Sequence, residues 1–101
     1  MDERRGLHVI SRKKLLKAAS QYGDISAPLD AWYRVARQAI WSDIVGVQCQ
    51  FPSADSAGRF TVFNIKGNAY QLITEIYYES GVILIRDVRT HANYEKEGWK
   101  Q

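Results

Sequence analysis

The stretch RFTVFNIKGNAYQLITEIYYESGVILIRDV, Arg59 to Val88, decides the fold. Arg59 to Ile65, Ala69 to Tyr77 and Val82 to Val88 are rich in β-branched and aromatic residues, which suit a pleated, half-buried surface. Lys66-Gly67-Asn68 and Glu79-Ser80-Gly81 join them, short connections that each carry a glycine for a tight reversal. The three segments read as an antiparallel meander.

Upstream the pattern changes to a helical one. Leu7 to Ile10 is a short apolar stretch that fits an edge or first strand. Ser11 stands in an N-cap position before Arg12-Lys13-Lys14-Leu15-Leu16-Lys17-Ala18-Ala19. Leu15, Leu16 and Ala19 can share one face there, with Lys13, Lys14 and Lys17 pointing elsewhere. Gly23, in Tyr22-Gly23-Asp24, occupies the usual stop position. Ser26-Ala27-Pro28 opens a second helix, proline being tolerated in a first turn. Leu29, Trp32, Tyr33, Ala36, Ala39 and Ile40 recur at three- and four-residue steps, and Asp30 and Arg34 lie four apart on the polar side. Trp41 to Pro52 fits either a short helix or a turn, and Ser53 to Gly58 is a loop by composition. Helices first and hairpins after predict an α+β domain, its N-terminal helices packed on one face of a small antiparallel sheet. The other face is left to solvent or to a ligand.

With 101 residues, 46% of them hydrophobic, the chain can bury a real core but not a second domain or a large cofactor cradle. A net charge of +3 favours a polyanionic partner over an acidic-protein one. Cys49 is the single cysteine, which excludes a disulfide framework and a thiolate zinc site and fits a reducing, cytoplasmic setting. No apolar run approaches the roughly 20 residues that span a bilayer. The start, Met1 to Gly6, has no hydrophobic signal region behind it. The expectation is a soluble cytoplasmic protein without membrane contact.

The residues that carry chemistry cluster after Val82. Arg86 sits inside an otherwise apolar strand, where an arginine either pairs with a carboxylate, Glu75 or Asp87 being candidates, or aims at an anionic ligand. His91 follows the strand. It is either a positioned proton-transfer group or a plain cap or solvated ring. Tyr94 either shares its side of a turn or closes the core edge. Lys66 is either a solvated tip lysine or a phosphate contact across the sheet, and Asn64, Gly67 and Asn68 surround the first hairpin turn. The Arg12 to Lys17 run is a solvated helix face or, secondarily, a nucleic-acid footprint. Two histidines and scattered carboxylates offer no metal spacing, no glycine-rich phosphate loop links a strand to a helix, and no glycine-flanked serine suggests a nucleophile elbow. If the chain is an enzyme, what remains is metal-free, cofactor-free acid/base chemistry on a phosphodiester.

Two stretches do more than pattern. Phe60-Thr61-Val62-Phe63-Asn64-Ile65-Lys66-Gly67-Asn68-Ala69-Tyr70-Gln71-Leu72-Ile73 and Ile85-Arg86-Asp87-Val88-Arg89-Thr90-His91-Ala92-Asn93-Tyr94 resemble the HigB family of type II toxins, RelE-like mRNA endoribonucleases. His8-Val9-Ile10-Ser11 and Phe51-Pro52-Ser53 match as well, so the resemblance covers the chain from Leu7 onward. It implies a RelE-like domain over residues 7–101, with 1–6 a flexible N-terminal extension. It also implies cleavage of mRNA on the ribosome and neutralisation by a HigA-type antitoxin with a helix-turn-helix DNA-binding domain. His91 and Tyr94 fall on the family's C-terminal motif and Arg86 on its last strand. On the resemblance and the acid/base chemistry together, the expected catalytic residues are His91, Arg86, Tyr94 and Lys66, and the expected RNA contacts Arg89, Gln71, Asn64 and Asn68. Gln71 departs from the pattern, standing where the family often has a phosphate-contacting arginine. The alternative it raises is a weakened RNA- or ribosome-binding module of the same fold.

Overall fold

The computed structural model describes residues 8–67 and 69–90. Residues 1–6, expected to be an extension, lie outside them. The elements run β1 (His8–Ile10), α1 (Lys13–Gln21), α2 (Ser26–Gln38), α3 (Ile44–Gln50), β2 (Asp55–Ala57), β3 (Phe60–Ile65), β4 (Tyr70–Tyr77) and β5 (Val82–Thr90). They form the expected α+β arrangement around one five-stranded sheet of order β1-β5-β4-β3-β2.

The meander is as predicted: β3, β4 and β5 pair antiparallel in sequence order. Two strands enlarge it. β2 falls inside the segment expected to be a loop and pairs with β3, Asp55 opposite Val62 and Ala57 opposite Phe60. Three residues of polar composition carry no period, so the pairing comes from β3's open edge. At the other edge β1 runs parallel to β5, His8 opposite Val82 and Ile10 opposite Leu84. The sheet is therefore mixed, not purely antiparallel. A parallel partner needs a long crossover, and α1 through β4 supply it.

Helix boundaries also shift. Ser11 is not the N-cap; it has φ 69°, Arg12 takes the cap position, and no side chain caps the helix. α1 ends at an extended Tyr22, and Gly23 is not among the residues with positive φ. Leu15 and Ala18 are the buried positions of α1, whereas Leu16 is 61% exposed. α2 buries Leu29, Trp32 and Ala36 as its period requires, with Arg34 and Asp30 paired at 3.0 Å. Ile40, beyond the helix end, is exposed. The ambiguous segment is a helix, α3, capped by Asp43, whose carboxylate accepts from the Gly46 amide at 3.2 Å.

The core lies between the helices and one sheet face. Phe63 is fully buried at its centre, edge-on to Trp32 (5.3 Å between ring centres) and Phe51 (5.2 Å), and stacked on Trp41 (6.1 Å). Ile65, Tyr70, Leu72, Ile83 and Ile85 complete that face. The alternation along β3, β4 and β5 then sends Val62, Asn64, Gln71, Ile73, Glu75 and Tyr77 to the opposite face, on which none of the described helices packs. Among the described residues no helix is long and apolar enough to cross a membrane.

Candidate RNA-binding and catalytic face

The sheet face opposite the core is made polar by three features of the strands. The first is a row of paired positions, Asn64 opposite Gln71 and Gln71 opposite Arg89. Gln71 donates its side-chain amide to the Asn64 carbonyl oxygen at 3.0 Å, and only 2% of the residue is exposed. The Gln71 Oε1 atom is buried and accepts no hydrogen bond. Gln71 is thus spent inside the fold, and its remaining acceptor would welcome a donor. Arg89 donates its Nε to Asp87 at 2.8 Å.

The second feature is a break in register. Ile73 pairs with Asp87 and Thr74 with Ile85, which leaves Arg86 as the extra residue of a β-bulge. The extra residue breaks the alternation: Ile85 is buried in the core, whereas Arg86 is exposed and Asp87, opposite Ile73, is half-buried on the face away from it. Its Nε lies 3.6 Å from the Glu75 carboxylate. Of the two partners the sequence offers, Glu75 holds Arg86 and Asp87 holds Arg89.

The third is Glu75 itself, a carboxylate 7% exposed. Tyr77 donates its hydroxyl to Oε1 at 2.5 Å, and Arg59 donates Nε to Oε2 at 3.2 Å. The tyrosine hydrogen bond and then the Arg59 and Arg86 charges hold the Glu75 carboxyl below its ordinary pKa, against the opposing effect of burial. The same bond pushes the Tyr77 phenol up. Sequence reading missed Arg59 and Tyr77. The two-residue step Gln71, Ile73, Glu75, Tyr77 along β4 is the signal that could have found Tyr77.

Lys66 is placed elsewhere. At the β3–β4 turn it has φ 57°, followed by Gly67 at φ 65°. A lysine in the left-handed region is uncommon and needs a hold. Asp24, in the loop between α1 and α2, supplies it: Lys66 Nζ donates to Oδ2 at 2.7 Å and Tyr70 donates its hydroxyl to Oδ1 at 2.5 Å. Lys66 and Asn64 therefore flank the same turn, while Arg86 sits with Glu75 farther along the sheet. His91, Tyr94 and Asn68 lie outside the described residues.

The lysines of α1 gain a neighbour that sequence alone did not assign. Lys14, Lys17, Ala18 and Gln21 line a groove of about 160 Å³ with Asp87 and Val88 of β5. Basic side chains thus stand beside the end of the strand that leads to His91. Among the described residues no three of the His, Cys, Asp and Glu side chains come together in a way that could hold a metal. The arrangement suits binding of a polyanion along β5, with positive charge from arginine and lysine side chains.

Comparison with known proteins places the chain as a whole. Over 92 residues, 88% of each chain, the sequence is 28% identical to the mRNA interferase toxin HigB of Escherichia coli (strain K12). The mRNA interferase HigB of Escherichia coli O157:H7 and that of Shigella flexneri match to the same extent. The model of the HigB toxin family, described as the RelE-like toxic component of a toxin-antitoxin system, matches residues 25–97. That span takes in α2, α3 and the meander, and the chain belongs to the HigB family of RelE-like toxins.

Proposed function

We propose that this chain is an mRNA-cleaving toxin that acts in the cytoplasm on translating ribosomes and is neutralised by a HigA-type antitoxin. Its relatives are named mRNA interferases. The observation that carries the reading is the pairing of β5 with β4 through Thr90, which sets Arg89 opposite Gln71 and Arg86 on a bulge of the same strand. A paired strand is a rigid mount for the residues that follow it, and His91 is the next in sequence.

The chemistry is in-line attack of a ribose 2′-OH on the adjacent phosphorus. The 2′-oxygen loses its proton to a base and forms the new P–O bond. The P–O5′ bond breaks, and the 5′-oxygen leaves with a proton from an acid. The products are a 2′,3′-cyclic phosphate and a 5′-OH. His91 is the proton-transfer group, since an imidazole with an ordinary pKa near 6.5 can both take and give a proton at neutral pH. Tyr94 orients the RNA or assists that transfer. Arg89 supplies positive charge for the extra charge on phosphorus, and Arg86 stands farther along the same strand, at Glu75. Lys66 would first have to leave Asp24, so the cationic role falls to Arg89.

A positioned acid or base is worth roughly 10²–10⁴ in rate. On induction in cells, sequencing of mRNA 5′ ends should reveal new ends inside codons for the wild type. His91→Ala should lower their number by about that factor with the domain still folded. Wild-type cutting by His91→Ala would overturn the assignment. The second reading, a non-cutting RNA- or ribosome-binding module, is favoured by the neutral, buried Gln71; it predicts no new ends from either protein.

A further inference from the structure

We propose that Arg59 and Arg86, held side by side on the Glu75 carboxylate, form a clamp for an RNA backbone phosphate away from the reacting one. This rests on the RNA-cleaving reading above. The first argument is a charge count. Among the described residues two guanidiniums share one carboxylate, which leaves one positive charge over. Both oxygens of Glu75 are engaged: Tyr77 donates to Oε1, and both arginines approach Oε2, at 3.2 and 3.6 Å.

The second argument is layering. The Glu75 side chain is 10% exposed, whereas those of Arg59 and Arg86 are 71% and 46% exposed. The anion lies beneath and the cations on top, so an approaching anion meets guanidinium first. Both arginines use Nε inward, and among the described residues their terminal nitrogens make no hydrogen bond. An arginine fixed through Nε presents its terminal N–H groups outward, the geometry that binds phosphate by paired hydrogen bonds.

A third observation selects RNA over an acidic protein surface. Tyr77, 47% exposed, borders the cluster, and the Arg59 guanidinium lies 5.0 Å from the centre of the Phe60 ring. Exposed aromatic side chains among cations are how single strands are gripped, bases on rings and phosphates on arginines. Gln71 and Glu75 are four residues apart on β4, about 13 Å at a strand's rise. The clamp would therefore hold a phosphate farther along the strand than the one at Arg89. It would align the RNA without touching the reacting bonds.

The test uses binding, not cutting. The probe is a short 2′-O-methyl oligouridine, which lacks the attacking hydroxyl, titrated over a salt series from about 50 to 200 mM. Losing one phosphate contact lowers the slope of log affinity against log salt by about 0.7 on a single strand. Arg59→Gln and Arg86→Gln should each show that loss. Arg59→Lys should keep the slope and lose affinity, because charge remains without the planar fork. Arg34→Gln, on the outer face of α2, should match wild type. The clamp is overturned if Arg59→Gln keeps the wild-type slope and affinity. It is equally overturned if Arg59→Gln binds RNA normally but loses hold of an acidic protein partner. Wild-type binding with the expected slopes but no new mRNA ends would sink the nuclease reading alone. New ends with unchanged slopes would sink the clamp alone.

Discussion

Asp24 and Glu75 are handled alike up to a point. Each accepts a tyrosine hydroxyl at 2.5 Å, from Tyr70 and Tyr77 respectively, and each is approached by cations on its other oxygen. Asp24 meets one lysine at 2.7 Å, whereas Glu75 meets two arginines. The Asp24 group is electrically balanced and ties the α1–α2 loop to the β3–β4 turn. Among the described residues the Glu75 group carries one charge too many, on a face where none of the described helices packs. Equal numbers make a latch, and a surplus makes a binding surface.

The sharpest way to break this contrast is to remove a cation from each group. Arg86→Gln takes away the surplus charge and a phosphate contact. A hydrogen bond to a charged partner is worth about 1.5–3 kcal/mol, so mRNA cleavage should fall by roughly 10- to 100-fold. Lys66→Gln should cost cleavage far less, because that lysine is spent on Asp24. Equal losses, counted as new mRNA 5′ ends, would erase the distinction.

The anions should differ in stability. Glu75→Ala leaves two arginines facing each other and Tyr77 without its acceptor, which should cost about 1–3 kcal/mol in urea unfolding. Asp24→Ala, at a more exposed site, should shift the urea midpoint less. The reverse order would mean that the turn latch, not the sheet cluster, is the stabilising contact.

Why the sequence revealed one region and hid the other follows from the kinds of signal involved. Leu29, Trp32 and Ala36 bury one helix face, and a helix face is periodic, so α2 could be read directly. The meander announced itself through β-branched runs and glycine turns. β2 has no period in its Asp-Ser-Ala, and the parallel β1 depends on a strand more than seventy residues away, so neither could be read locally. The candidate site was legible where residues adjoin in sequence, as Arg86 and Arg89 do. The Asp24–Lys66 and Arg59–Glu75 partnerships span 42 and 16 residues and exist only after folding. The bulge that sets Arg86 and Asp87 side by side on one face leaves no mark in residue type at all.

Gln71 offers a finer probe of the surplus charge. Gln71→Arg would force a guanidinium into a site 2% exposed, with Asn64 as its described hydrogen-bond partner. Burying a charge with few partners destabilises, and about 1–3 kcal/mol in urea unfolding is expected. If Arg89 already serves the reacting phosphate, cleavage should not rise. Stronger cutting by Gln71→Arg would mean that Arg89 does not serve it and the strand lacks a cation there.

The smallest effect is expected on acidification, and its sign separates the two carboxylates from ordinary surface acids. Both are held below their ordinary values, Glu75 from 4.5 chiefly by the Tyr77 hydroxyl and Asp24 from 3.8 chiefly by Lys66. A group whose pKa is depressed by folding contributes stability above its unfolded pKa and loses it as pH falls through the folded one. Wild type should therefore lose stability below about pH 4.5 more steeply than Glu75→Gln, which cannot be protonated there. The two proteins should converge as the Glu75 carboxyl takes up its proton. For Asp24→Asn the convergence should begin lower, below about pH 3.8, because its ordinary value is lower. Urea midpoints that run parallel across this window would show that neither carboxylate is bound as tightly as its partners suggest, and the contrast between latch and clamp would lose its electrostatic basis.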